Sequence, residues 1–161
     1  MDKINEEAMP TEHRISPKGS FEMIRKHISV EMRGGENYFT GPWEGGPPFD
    51  VELTTLPPGK KNYPYHKHAC QWEYYIFLSG TGKFRDENNE WHEIVSGDHF
   101  QFATAKAHQI WNDGEVDLIF YVIANNTRVE IAEYPDTGKT LILPDGKLGY
   151  LSDAEYYDKE E

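Results

Sequence analysis

In the stretch "PYHKHACQWEYYIFLSG", residues 64 to 80, two histidines stand one residue apart and a glutamate follows them. Imidazole nitrogens and a carboxylate are ligand types for a divalent transition metal. Side chains alternate faces along a strand, so His66 and His68 point the same way about 7 Å apart along the backbone, a gap that converging imidazoles close on one ion. Glu73 is an odd step from His68 and joins that face only if Ala69-Cys70-Gln71 is a loop or bulge. His108, the first residue of "HQIW" after the turn "TAKA", is the fourth ligand type, and a closed barrel brings it opposite the first pair. A lone strand histidine is usually a surface or satisfied core group; it is the set of four at this spacing that points to a metal. Cys70 shares parity with both histidines if the strand runs straight. A His-His-Cys zinc site is therefore one alternative, and a small thiol buried under the bulge is the blander one.

The elements that must position these residues read as β-structure. Between residues 50 and 124, short β-like runs ("FDVELTTL", "WEYYIFL", "GKFRDE", "EWHEIV", "HFQFA", "DLIFYVIAN") alternate with turn signals rich in Gly, Pro and Asn. That spacing predicts an all-β sandwich or barrel. One helix is predicted around "SFEMIRKHIS", residues 20 to 29, with Ser20 as N-cap, although Ile28 and Val30 fit a strand equally well. The Gly- and Pro-rich "RGGENYFTGPWEGGPP", 33 to 48, reads as a loop whose Tyr38, Phe39 and Trp43 form a flap over the barrel. The chain is expected to divide into an irregular extension and loop (1–49), a barrel core (50–125) and an extension with an acidic tail (126–161). That last part is expected to wrap the outside or reach a neighbour, with its last few residues mobile.

At 161 residues the chain fits one domain. Its formal net charge of −12 argues against nucleic acid and anionic membranes, which demand clustered Lys and Arg. Of the 28 acidic residues, Asp2, Glu6, Glu7, Glu12, Asp153, Glu155, Asp158, Glu160 and Glu161 lie in the tails, so the middle is nearer neutrality and still open to an anionic small molecule. The single cysteine precludes an intramolecular disulfide. With no apolar leader and "LIFYVIA" as the longest apolar run, the expectation is a soluble, cytoplasmic protein.

The ligand-type residues also carry a resemblance. Gly59, His66, His68, Glu73 and Gly80 reproduce the first motif of the cupins, G-x(5)-H-x-H-x(3,4)-E-x(6)-G, with one extra residue after Gly59. Gly97, His108 and Asn112 fit the second, G-x(5)-P-x-G-x(2)-H-x(3)-N, where Ala103 and Ala105 replace the proline and second glycine. Over roughly residues 50 to 124 the chain thus resembles cupins, and its flanking segments look like a bacterial single-domain subgroup without an assigned activity. The resemblance implies a double-stranded β-helix, or jelly-roll barrel. It implies one divalent transition metal per chain (Mn, Fe, Co, Ni, Cu or Zn) on His66, His68, Glu73 and His108, and it favours a homodimer over a monomer.

Three imidazoles and one carboxylate on a six-coordinate ion leave two positions for water or a chelating hydroxy-carbonyl compound. The metal then serves as a Lewis acid in isomerisation or epimerisation of an oxygen-rich metabolite such as a sugar derivative. With Fe(II) it would serve a dioxygenase. A non-catalytic sensor or binding protein uses the same pocket. Tyr75, Arg85 and Gln101 are the candidate catalytic side chains, each also readable as core filler or an exposed strand residue. His92 and His99 read as structural or exposed; His13 and His27 fall outside the barrel. Lys60, Lys61 and Lys67 read as solvated, and Asp98 and Asn112 as turn-stabilising. Strand parity leaves Trp72, Tyr74, Ile76 and Leu78 on the face opposite Glu73, where the N-terminal segment or a second subunit must cover them.

Overall fold

The computed structural model describes residues 3–35 and 41–160. The strands in chain order are β1 (Glu12–Ile15), β2 (Glu22–His27), β3 (Phe49–Leu56), β4 (Lys67–His68), β5 (Glu73–Ser79), β6 (Thr81–Arg85), β7 (Trp91–Val95), β8 (His99–Phe102), β9 (Gln109–Trp111), β10 (Leu118–Asn125), β11 (Glu130–Tyr134), β12 (Lys139–Leu143) and β13 (Lys147–Tyr150). A four-residue helix, α1 (Ile28–Glu31), follows β2. They form a six-stranded sheet ordered β1-β2-β3-β10-β5-β8, a four-stranded sheet β13-β12-β11-β4 and a three-stranded sheet β7-β6-β9. The residues before β4 join this framework by pairing with β9: His66 and His108 exchange both backbone hydrogen bonds, at 3.1 and 2.8 Å. The protein is thus mostly β, in an arrangement of jelly-roll type whose sheets do not close into one ladder.

The interior is graded along the barrel. In register across β3, β10 and β5 lie Thr54, Phe120 and Phe77, then Glu52, Val122 and Tyr75, then Asp50, Ala124 and Glu73. Directly paired residues face the same side of a sheet. One end is therefore filled by Phe77, Phe120, Leu56 and Leu118, all at most 1% exposed, with Ile94 and Ile110 against them. Burying each such side chain contributes roughly 1.5–3 kcal/mol. Toward the other end β10 narrows from Phe to Val to Ala while β3 turns acidic. The same sheet that closes the core thereby opens a cavity with charged side chains in its wall.

Tight turns hold the ladder. Gly80 has φ +83°, and a Cβ there would meet the Asp117 carbonyl oxygen at 2.4 Å, so the β5–β6 connection admits no side chain. Asn112, fully buried, donates to the carbonyls of Leu56 and Val116 and accepts from the Gly114 N–H. Asp98 accepts from the Val95 N–H. Both are turn-stabilising residues, as their types suggest.

Two expectations about the flanks need correction. The segment 22–27 is strand β2, not helix; only 28–31 is helical. Its pairing with β3, Ile24 opposite Thr55 and Lys26 opposite Leu53, satisfies the β3 edge, and that long-range gain outweighs local helix propensity. The extensions are not irregular either. Residues 12–27 add β1 and β2 to the large sheet, and residues 130–150 form the β11–β13 meander. The expected flap residues Tyr38 and Phe39 lie outside the described residues, whereas Trp43 is at the cavity mouth. Among the described residues no helix is long and apolar enough to cross a membrane.

Candidate metal centre

His66, His68, Glu73 and His108 come together with ligand atoms all within 4.8 Å of one another. The break in the strand that this requires is present. β4 ends at His68, residues 69–72 are not strand, and β5 begins at Glu73, which resets the parity. His66 Nδ1 donates to the Pro64 carbonyl at 2.8 Å and His108 Nδ1 to the Lys106 carbonyl at 3.2 Å, tautomers that leave both Nε2 lone pairs for the centre. His108 is packed face to face on Phe102, centroids 4.1 Å apart, and its Nε2 is 2.7 Å from Glu73 Oε2. Tyr75 donates to the same Glu73 oxygen at 3.1 Å.

The electrostatics suit a cation. Burial lowers the His66 pKa to about 3, with the neighbouring His108 acting in the same direction, so the ring is neutral and its lone pair available. Burial by itself would raise the Glu73 carboxyl, but the close contact with His108 and the other two nearby imidazoles hold it well below the usual carboxylate range. Burial, then the Glu73 charge, drives Tyr75 well above 10, so it stays a neutral donor. Both nitrogens of His68 are buried without a hydrogen-bond partner, and Nε2 of His108 meets the Glu73 carboxylate. Orphaned buried nitrogens cost about 1–3 kcal/mol each, a cost that a bound ion would remove. The donor set fits a divalent transition metal.

Three of the four, His66, His68 and Glu73, line an open cavity of about 760 Å³. Facing it are Arg25, Glu52 and Tyr63 from one side, Glu130 and Tyr134 from another, and Trp43 and Arg128 at the mouth. Arg25 is buried and paired with Glu52 at 2.7 Å and Glu12 at 2.6 Å, which keeps its charge fixed far above neutral pH. Burial raises the Glu52 carboxyl even against the pull of Arg25. His27 meets Asp50 at 2.5 Å in the same wall.

The cupin-domain family profile matches residues 52–124. Solved structures agree along far more of the chain. A candidate sugar phosphate isomerase from Acidithiobacillus ferrooxidans is 25% identical, with 92% of each chain covered and a TM-score of 0.72. The barrel is a cupin domain. A sugar phosphate isomerase of the cupin superfamily from Silicibacter pomeroyi is 20% identical over 94% of this chain and 92% of its own, TM-score 0.73. A predicted oxalate decarboxylase from Thermotoga maritima is 24% identical over 78% of this chain and 99% of its own, TM-score 0.61. These last two show a shared fold. No curated protein sequence matches the chain.

Within the cupin barrel the other expected residues separate. Tyr75 points inward, 1% exposed, beneath the ligand cluster. Arg85 is outside the cavity, paired twice with Asp136 at 2.7 and 3.0 Å and lying 3.9 Å over the Tyr65 ring. Gln101 is exposed on β8, opposite Tyr74. Cys70 is exposed, not buried under a bulge, because the break that turns Glu73 inward turns Cys70 out. His99 bonds Tyr74 and His92 bonds Asp86, both away from the centre. The lysines expected to be solvated have partners: Lys60 pairs with Glu22, Lys67 with Glu133, and Lys61 lies over Trp91 and Trp111. The N-terminal segment reaches the outer face of the large sheet, where Glu6 accepts from the Tyr121 hydroxyl, but Trp72, Tyr74 and Leu78 stay 37–46% exposed. At the turn before His108 the left-handed conformation that a glycine serves in the motif is kept by Ala105, φ +64°. Sequence reasoning missed Arg25, His27, Glu52 and Glu130. The alternation in "EMIRKH" and "FDVEL" was the available signal for the first three.

Proposed function

We propose that this cupin is a metal-dependent enzyme that isomerises or epimerises a small oxygen-rich metabolite, with sugar phosphates the first substrate class to test. The observation that carries this reading is the convergence of three imidazoles and an ionised carboxylate beside an open cavity with charged side chains in its wall. A structural zinc would be closed by its protein ligands and buried away from any cavity. The name of the Acidithiobacillus protein supports placing isomerisation first.

A divalent ion held by His66, His68, Glu73 and His108 would supply Lewis acidity toward vicinal oxygens of a hydroxy-carbonyl compound. The chain's own residues supply the rest. Tyr75 holds Glu73 in place through its hydroxyl and keeps its proton. Moving a proton between adjacent carbons requires a base that is neither a ligand nor permanently protonated. Glu52 has that character: a wall carboxylate with a raised pKa, oriented by Arg25, in register two strands from Tyr75 on the cavity face. Apolar Val122 and Ala124 lie between Glu52 and the ligand cluster and leave the volume a substrate carbon skeleton needs.

The test is proton exchange. Metal-loaded protein is incubated in D₂O with a panel of aldose and ketose phosphates and followed by proton NMR. Isomerisation through proton transfer washes deuterium into the position next to the carbonyl, and Glu52→Gln abolishes the exchange while leaving metal content intact. Ligands that bind without any exchange would turn the reading toward a non-catalytic binding protein.

A further inference from the structure

Glu130 lies in β11, beyond the segment the family profile matches, yet it is 5% exposed and reaches the metal centre. Its Oε1 accepts the Ala69 N–H at 2.7 Å and the Ile131 N–H at 3.0 Å. Cys70 N–H is 3.3 Å from both carboxylate oxygens, and the Thr127 hydroxyl is 3.5 Å from Oε2. Those donors pin the carboxylate against the break that follows β4. The same Oε1 stands 3.8 Å from His68 Nδ1, while His68 Nε2 stands 3.7 Å from Glu73 Oε2. The His68 ring is therefore bracketed by two carboxylates, and neither of its nitrogens has a hydrogen-bond partner.

The three histidines differ in this respect. His66 and His108 turn Nδ1 to a backbone carbonyl, which fixes the tautomer whatever the side chains nearby. His68 has no such bond to a carbonyl, and its Nδ1 faces the Glu130 carboxylate. With Nε2 directed at the cluster, the ring proton must sit on Nδ1, toward Glu130. An anion at that position favours this tautomer, orients the ring and raises the basicity of Nε2. The pairing that delivers Glu130 is local to β11 and β4, where Ala132 is opposite His68.

We infer that Glu130 is a positioning residue of the metal centre, an outer carboxylate that sets the tautomer and orientation of His68 while capping the break that brings Glu73 inward. This rests on the metal-binding reading of the four-residue cluster. Glu130→Gln separates the two roles, because the amide carbonyl still accepts the backbone N–H groups while the charge is lost.

The experiment measures Zn(II) affinity by chelator competition for wild type, Glu130→Gln, His68→Ala and the double variant, with the melting temperature of each metal-free chain. Glu130→Gln is expected to weaken Zn(II) about 10- to 100-fold with the metal-free melting temperature nearly unchanged. In the His68→Ala background it should change the affinity less than about twofold, since the positioned ring is gone. An unchanged affinity in the single variant overturns the inference. So does an undiminished effect in the His68→Ala background, which would mean Glu130 acts through the 69–72 break alone. A wild-type chain that takes up no Zn(II) removes the metal reading itself, an outcome distinct from either.

Discussion

Acidifying the metal-free protein should cost stability in a window set by His66. The folded chain holds this imidazole neutral down to about pH 3, chiefly by burial, whereas the unfolded chain takes up a proton near 6.5. Between those values the unfolded state binds more protons, so stability is fully present above about pH 6.5 and is lost as pH falls. Each unit of pH costs about 1.4 kcal/mol for one such group, so acidification from about pH 6.5 to 5 costs about 2 kcal/mol. For a chain of this size that is roughly 4–8 °C in melting temperature. Glu73 adds nothing in this range. Its carboxyl is ionised in both states until pH falls below 4.5, and its lowered folded pKa makes its contribution disappear only beneath that. The assay is denaturant unfolding of chelated protein at half-unit steps of pH, for wild type and His66→Gln. The variant is less stable throughout, but the difference between the two should shrink by about 2 kcal/mol across the window. Parallel pH profiles would refute the claim that this ring is buried neutral.

Other perturbations have equally defined outcomes. Gly80→Ala should destabilise by about 2 kcal/mol or more in urea unfolding, because it forces both a left-handed residue and a collision with the Asp117 carbonyl. Ala105→Gly should do the opposite, adding up to about 1 kcal/mol by relieving a left-handed alanine at φ +64° without touching the ligands. Chelation of loaded protein should lower the melting temperature. Metal at a hundredfold excess over Kd contributes about 2.7 kcal/mol, which is roughly 5–11 °C here.

The ligand cluster is legible in the sequence because most of its information is local. His66, His68 and Glu73 fall within eight positions, and only the break at 69–72 has to be inferred. Turn residues such as Gly80, Asp98 and Asn112 are legible for the same reason: each shapes backbone close to it in the chain, although Asn112 also reaches Leu56 and Gly80 also makes room for Asp117. What escapes is whatever depends on distant pairing. β2 reads as a helix until β3 is placed beside it, and with that misreading Arg25 and His27 lose their inward face. Glu130 is invisible because nothing near it in sequence says that β11 will lie against β4. Cys70 is misjudged for a subtler reason. The parity of Glu73 makes a break a condition of the site, but a break can turn the intervening side chain inward or outward, and the backbone hydrogen bonds from Ala69 and Cys70 to Glu130 fix it outward.

The central claim is that His66, His68, Glu73 and His108 hold one transition metal per chain in a cavity open to small molecules. Element-resolved metal analysis of protein purified without a nickel affinity step tests it most directly, comparing wild type with the His66→Ala/His68→Ala double variant. The account predicts one transition-metal ion per wild-type chain, taken up during expression or on incubation with metal, and none in the variant. Stoichiometric metal retained by the double variant, or a correctly folded wild-type chain that binds none, would contradict it.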